Sequence, residues 1–132
     1  MINKSAAIII KDRSVMYLRK KNFLFWILPG GKIETGESEE GSLHRELREE
    51  LSARIKIFES IGVIQAKGFN KNLDQLEDIR LNLYRIELWE EPKISSEIID
   101  LTYLQRKNIH RYLLTPVGIR TIEFLHKKGL ID

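Results

Sequence analysis

The run Phe25-Trp26-Ile27-Leu28-Pro29-Gly30-Gly31 constrains this chain more than any other, because it brings an apolar segment to an abrupt stop. Proline withholds an amide and two glycines remove the Cβ restraint, so neither strand nor helix runs on through them. After a polar stretch, Ser38 is placed to cap a helix, with Glu39 and Glu40 in its first turn, where the free amides favour acid. Leu43, Leu47 and Leu51 then form a narrow apolar stripe along one helix face, suited to packing on a sheet. A short apolar segment, a break and a one-faced helix together require a layered structure.

The rest of the chain supplies the sheet. Residues 5–10 and 14–19 read as strands joined by the polar turn Lys11-Asp12-Arg13. In residues 53–64 the pairs Ile55 and Ile57, then Ile61 and Val63, alternate, with a bend expected at Glu59-Ser60. Residues 65–78 are polar and turn-rich, and their length predicts a functional loop. Residues 79–89 form a long strand ended by Glu90-Glu91-Pro92, and residues 97–104 read as a further strand. Thr115-Pro116 opens a C-terminal helix that Gly129 stops. The expected fold class is α+β, an α/β/α sandwich in which a mixed sheet is flanked by a mid-chain helix and a C-terminal helix.

Composition narrows the function classes. With 132 residues and no repeat or linker, a single domain over residues 1–132 is expected. Hydrophobic residues at 42% and charged residues at 31% exclude a disordered chain. The absence of cysteine excludes disulfides, thiolate metal sites and a cysteine nucleophile. Lys and Arg exceed Asp and Glu by 22 to 19, too small an excess to mark a nucleic-acid binder, so stable nucleic-acid binding is not expected. That balance is compatible with a phosphorylated, anionic substrate. The apolar run at residues 6–10 is too short for a signal-peptide core or a membrane span, and the chain reads as soluble and cytoplasmic.

The heptamer Arg45-Glu46-Leu47-Arg48-Glu49-Glu50-Leu51 raises the question of chemistry. On a wheel advancing roughly 100° per residue, Glu50, Glu46 and Glu49 fall at about −20°, −60° and −120° from Leu43. They form one arc beside the leucine stripe, with Arg45 and Arg48 on the far side. Glu46 and Glu50 are a like-charge i,i+4 pair, which costs stability unless a cation neutralises it. Oxygen-only ligands indicate a hard ion, Mg²⁺ or Mn²⁺, rather than zinc. Taken alone, the heptamer reads more readily as an ordinary solvated helix face, since acid-rich helices are common.

The preceding loop separates the two readings. Gly31, Glu37, Arg45, Glu46, Leu47, Glu49 and Glu50 fit the pattern G-x5-E-x7-R-E-U-x-E-E-x-G-U, with U aliphatic. Residues 31–53 therefore resemble the Nudix box, and Leu28-Pro29-Gly30 ahead of them is also typical of that family. One position departs: Ser52 replaces the usual glycine. Helices commonly end there in the left-handed conformation, so serine should cost about 1 kcal/mol or shift the helix end.

The resemblance implies hydrolysis of a nucleoside diphosphate linked to another moiety, here a nucleoside triphosphate or modified dNTP, with Mg²⁺ or Mn²⁺ required. It implies Glu46, Glu49 and Glu50 as metal ligands, helped by the Gly30 carbonyl. It makes Arg45 the residue that orients the glutamates and Glu37 the anchor of the Gly31 loop. For the general base Glu46 is favoured and Glu49 is the second candidate. Glu91 is the candidate for a further metal ligand beyond the box, with Glu90 beside it. Arg19 and Lys20 could reach a substrate phosphate, although a solvated turn explains them as well. Phe23, Phe25, Trp26 and Phe69 could stack on a base, although packing explains each singly, and His44 reads as an exposed helical histidine. A catalytically silent Nudix domain that binds nucleotide or RNA, or makes a protein contact, is the alternative. Homodimers are frequent in the family.

Overall fold

A computed structural model of the chain describes residues 1–70 and 75–132. In chain order the elements are β1 (Ile2–Ile8), β2 (Ile10–Lys11), β3 (Ser14–Lys20), β4 (Trp26–Ile27), β5 (Gly30–Lys32), α1 (Glu39–Leu51), β6 (Ile55–Asn70), β7 (Gln75–Leu88), β8 (Ile98–Leu104) and α2 (Pro116–Lys127), with a 3-10 turn at Arg106–Arg111 before α2. One sheet has the order β5-β1-β7-β6, with β1 and β7 parallel and the other pairs antiparallel. In the second sheet β3 pairs antiparallel with β8 along its length, and with β2 and β4 in turn.

Side-chain alternation in β1 and β3 divides the interior into two cores. Ala6, Ile8, Val15 and Tyr17 pack with Ile122 and Leu125 of α2. Ala7, Ile9, Met16 and Leu18 pack with Leu43, Leu47 and Leu51 of α1. Strands covered on both faces read as continuous apolar runs, which is why these segments show little polar alternation. The result is the expected α/β/α sandwich.

Three segments differ from expectation. The strand expected at 5–10 begins at Ile2 and divides after Ile8, because β1 pairs with β7 while β2 turns to pair with β3. Asp12 and Arg13 close that hairpin with φ of 51° and 58°, the backbone of a tight two-residue turn. The functional loop expected at 65–78 is instead the paired ends of two long strands. Their register runs from Ile55↔Leu88 to Asn70↔Gln75, and its polar residues sit on an exposed face, as in the 2.9 Å Lys67–Asp78 ion pair. The part of that expected loop at residues 71–74 lies outside the described residues. Finally, the bend expected at Glu59-Ser60 is a register shift between Ser60 and Gly62.

Both helices begin as their caps require. Ser38 Oγ accepts the Gly41 amide at 2.9 Å, and Thr115 Oγ1 accepts the Gly118 amide at 3.2 Å ahead of Pro116. At the other end of α1, Ser52 adopts the left-handed conformation that glycine would favour, with φ 52° and ψ 38°. Its amide reaches the Arg48 carbonyl at 3.1 Å. The segment after β7 satisfies two more carbonyls of α1, through Lys93 N to Leu51 O and Ser95 N to Glu50 O.

Candidate functional site

The site begins at the tight passage between β1 and β5. Gly30 has φ 122°, and a Cβ there would stand 2.2 Å from the Ser5 carbonyl oxygen, so only glycine fits. Its amide donates to Glu50 Oε1 at 2.9 Å. At Gly31 a Cβ would stand 2.7 Å from Glu46 Oε1, so the missing side chain makes room for that carboxylate. The two glycines thus bring backbone against the acidic face of α1.

Arg45 ties this face to the loop. Its Nε and Nη2 donate to both oxygens of Glu37 at 2.7 and 3.0 Å, while Nη1 donates to Glu46 Oε1 at 2.9 Å and lies 3.7 Å from Glu49 Oε2. On the helical wheel Arg45 stands away from the glutamates, but its long side chain bends back across them. Glu37 also accepts the Glu34 amide at 3.1 Å, which closes the loop on itself. The bidentate Arg45 contact, helped by that amide, holds the Glu37 carboxyl down at about 2.

The three box glutamates occupy three environments. Glu50 is buried, with 1% exposure, and burial pushes its carboxyl up to about 7 against the pull of Lys20 and the Gly30 amide. Glu46 is largely buried, and burial raises its pKa despite its bond to Arg45. Glu49 is exposed. Lys20 Nζ lies 3.0 Å from Glu50 Oε2. Although burial works against its charge, Glu50 and more weakly Glu46 and Glu97 hold the Lys20 pKa above its ordinary value.

A cavity of about 580 Å³ opens beside these groups. Lys4, Lys20, Lys32 and Glu46 line it, as do Phe23 and Phe69. Phe25 closes a three-ring cluster with Phe23 and Phe69 at centroid distances of 5.5 to 5.9 Å, and Trp26, which also reaches the cavity, sets its ring edge-on to Tyr112. Lys4 and Lys32 face one another across the β1–β5 pair. Burial, then the neighbouring Lys20 charge, lowers the Lys4 pKa. Sequence reasoning missed both lysines. Lys32 directly follows Gly31, but nothing local signals Lys4, which reaches the cavity through strand pairing alone.

Other candidates fall elsewhere. Glu91 is exposed and acts, after the larger effect of burial, to raise the Tyr103 pKa; it is not among the described residues lining the cavity. Glu90 is committed to Arg54, accepting from its backbone amide at 2.8 Å and its Nε at 2.6 Å. Arg19 pairs in register with Asp100 of β8, and its Nε is buried without a hydrogen-bond partner among the described residues. Of the two cations expected near a phosphate, Lys20 is therefore the one at the cavity. His44, expected to be exposed, is only part-exposed and lies 3.6 Å from Glu40.

Among the described residues, no three His, Asp or Glu groups are already gathered around a point that would hold a metal ion. Cations hold the box glutamates instead, Arg45 at Glu46 and Lys20 at Glu50. The donor set itself fits a hard divalent ion, being all oxygen and including a buried carboxylate atom, Glu50 Oε2, with no aligned hydrogen-bond donor.

Comparison with known proteins agrees with this architecture. A Bacillus subtilis (strain 168) protein named only as a candidate 8-oxo-dGTP diphosphatase is 32% identical over 71 residues, which make up 52% of this chain and 48% of that one. The match thus spans about half the length of that relative. The solution structure of the E. coli ORF135 protein superposes with a TM-score of 0.75 at 26% identity, covering 98% of this chain and 91% of that one. The MutT NUDIX hydrolase from Burkholderia pseudomallei gives a TM-score of 0.74 at 20% identity, covering 92% and 95%, and at that identity shows the fold alone. The model of the NUDIX domain matches residues 1–116, and with the glycine loop, the Arg45 bridge and the glutamates of α1 in place, the chain belongs to the Nudix family.

Proposed function

We propose that this protein is a Mg²⁺- or Mn²⁺-dependent pyrophosphohydrolase acting on a nucleoside triphosphate or modified dNTP. The observation that carries the reading is the meeting of a box carboxylate, ammonium groups and aromatic rings at one cavity: Glu46, the three lysines Lys4, Lys20 and Lys32, and Phe23 and Phe69. A polyphosphate needs the cations, a base needs a stacking surface, and an anhydride needs its charge neutralised before water can attack. The name of the Bacillus subtilis relative, a candidate 8-oxo-dGTP diphosphatase, supports a modified purine triphosphate as the first substrate to try.

Glu46, Glu49, Glu50 and the Gly30 carbonyl would hold the divalent cation. When bound, it supplies charge neutralisation at the phosphates and lowers the pKa of water. Glu46 faces the cavity and is the favoured acceptor of the proton from the attacking water, with Glu49 second. Water adds its oxygen to phosphorus as the bridging P–O bond of the anhydride breaks. Lys4, Lys20 and Lys32 orient the phosphates, and Arg45 keeps the Glu46 carboxylate in place. The aromatic rings then offer the base a stacking surface in the same cavity.

A panel of nucleoside triphosphates, modified dNTPs and nucleotide sugars, each assayed with and without Mg²⁺ or Mn²⁺, tests the reading. Metal-dependent release of pyrophosphate from one triphosphate is the expected result. Tight nucleotide binding with no turnover across the panel would favour the catalytically silent domain. The engagement of Glu46 and Glu50 by protein cations is the one observation that favours that second reading.

A further inference from the structure

Lys20 stands where the box glutamates would receive a metal. Its ammonium is 3.0 Å from Glu50 Oε2, on a carboxylate that is 1% exposed. The other oxygen takes the Gly30 amide, while Oε2 has no aligned hydrogen-bond donor. The ion pair is therefore the main offset to burying that oxygen, and a buried charge left unpaired is costly. Lys20 lines the same cavity as Lys4, and Lys4 in turn stands opposite Lys32 across the β1–β5 pair. Three ammonium groups thus line one cavity, and like charges so placed oppose one another until an anion arrives.

We propose that Lys20 is a resident counter-ion: it holds the Glu50 carboxylate in the metal-free protein, yields it to a divalent cation, and then presents its ammonium to the anionic substrate. This rests on the reading of Glu50 as a metal ligand. A carboxylate oxygen engaged by an ammonium must release it before a metal can take its place, so Lys20 lowers metal affinity in the absence of nucleotide. A polyanion that draws the ammonium away removes that competition, and metal and nucleotide bind with positive coupling.

The test is Mn²⁺ binding to the whole protein without nucleotide, followed by electron paramagnetic resonance, together with melting temperatures with and without Mn²⁺. Lys20→Met should bind Mn²⁺ about tenfold more tightly or better, because a neighbouring ammonium lowers a carboxylate's affinity for a proton by roughly ten- to a thousandfold and opposes a metal cation in the same direction. Its metal-free form should melt lower than the wild type, and Mn²⁺ should raise that melting temperature by more than it raises the wild type's. Lys20→Arg keeps the charge and should stay near the wild type in both measurements. Lys20→Gln provides the same comparison if the methionine variant does not fold. Unchanged or weaker Mn²⁺ binding by the neutral variants, with Glu50→Gln abolishing binding, would overturn the counter-ion role alone. Mn²⁺ binding that survives Glu50→Gln, or is absent from the wild type, would overturn the ligand reading and this inference together.

Discussion

Arg45 is the residue on which the local geometry converges, since one guanidinium holds Glu37 with two bonds and Glu46 with a third. Lysine cannot reproduce that fork. Arg45→Lys should weaken metal affinity or turnover by roughly ten- to a hundredfold, the usual effect of losing a residue that orients a ligand; calorimetry with Mn²⁺ and the nucleotide assay check this. The same contact makes a pH prediction. Glu37 has a folded pKa of about 2 against an ordinary 4.5, so its contribution to stability is complete above pH 4.5 and is lost as pH falls towards 2. Denaturation midpoints at pH 6 and pH 3 should therefore drop further for the wild type than for Glu37→Gln. How Arg45 acts was only half legible in the sequence. The spacing marked the residue, but a wheel records where a Cβ points, and a side chain as long as arginine's ends elsewhere.

At the scale of elements, α1 was legible almost to the residue, because Ser38 and the leucine stripe act locally. Its end shows the one departure from the Nudix pattern, with Ser52 in the left-handed conformation without glycine's freedom. Ser52→Gly should raise stability by about 1 kcal/mol and leave turnover unchanged, as read by urea denaturation and the nucleotide assay. Less legible were the strands. Residues 65–78 carry the polar, turn-rich composition of a loop, yet long-range pairing of β6 with β7 holds their described parts extended. Likewise, nothing in the apolar run 5–10 reveals that β1 and β2 belong to different sheets, because the change of partner at Ile9 depends on where β7 and β3 lie.

In the whole molecule the cavity gathers β1, β3, β4, β5, β6, β7, α1 and α2 at one place, from Ile2 in the first strand to Gly118 in the last helix. The acidic side of that site could be read from a contiguous motif, whereas the sequence offered Lys20 and the aromatic rings only singly, each with a solvated or packing alternative, and gave no sign of Lys4 or Lys32, because these members meet only after the sheet has formed. Phe69→Ala should raise KM about tenfold with little change in kcat, since a ring stacked on a base contributes roughly 1–3 kcal/mol to binding. Steady-state kinetics on the best nucleotide of the panel check it. The central claim is that the glutamates of α1, Glu50 above all, make hydrolysis metal-dependent. It is tested most directly by pyrophosphate release with Mg²⁺ or Mn²⁺ for the wild type, Glu49→Gln and Glu50→Gln, alongside their melting curves. The account predicts turnover by the wild type only with metal, and none by either folded variant. Full metal-dependent activity in both variants would contradict it.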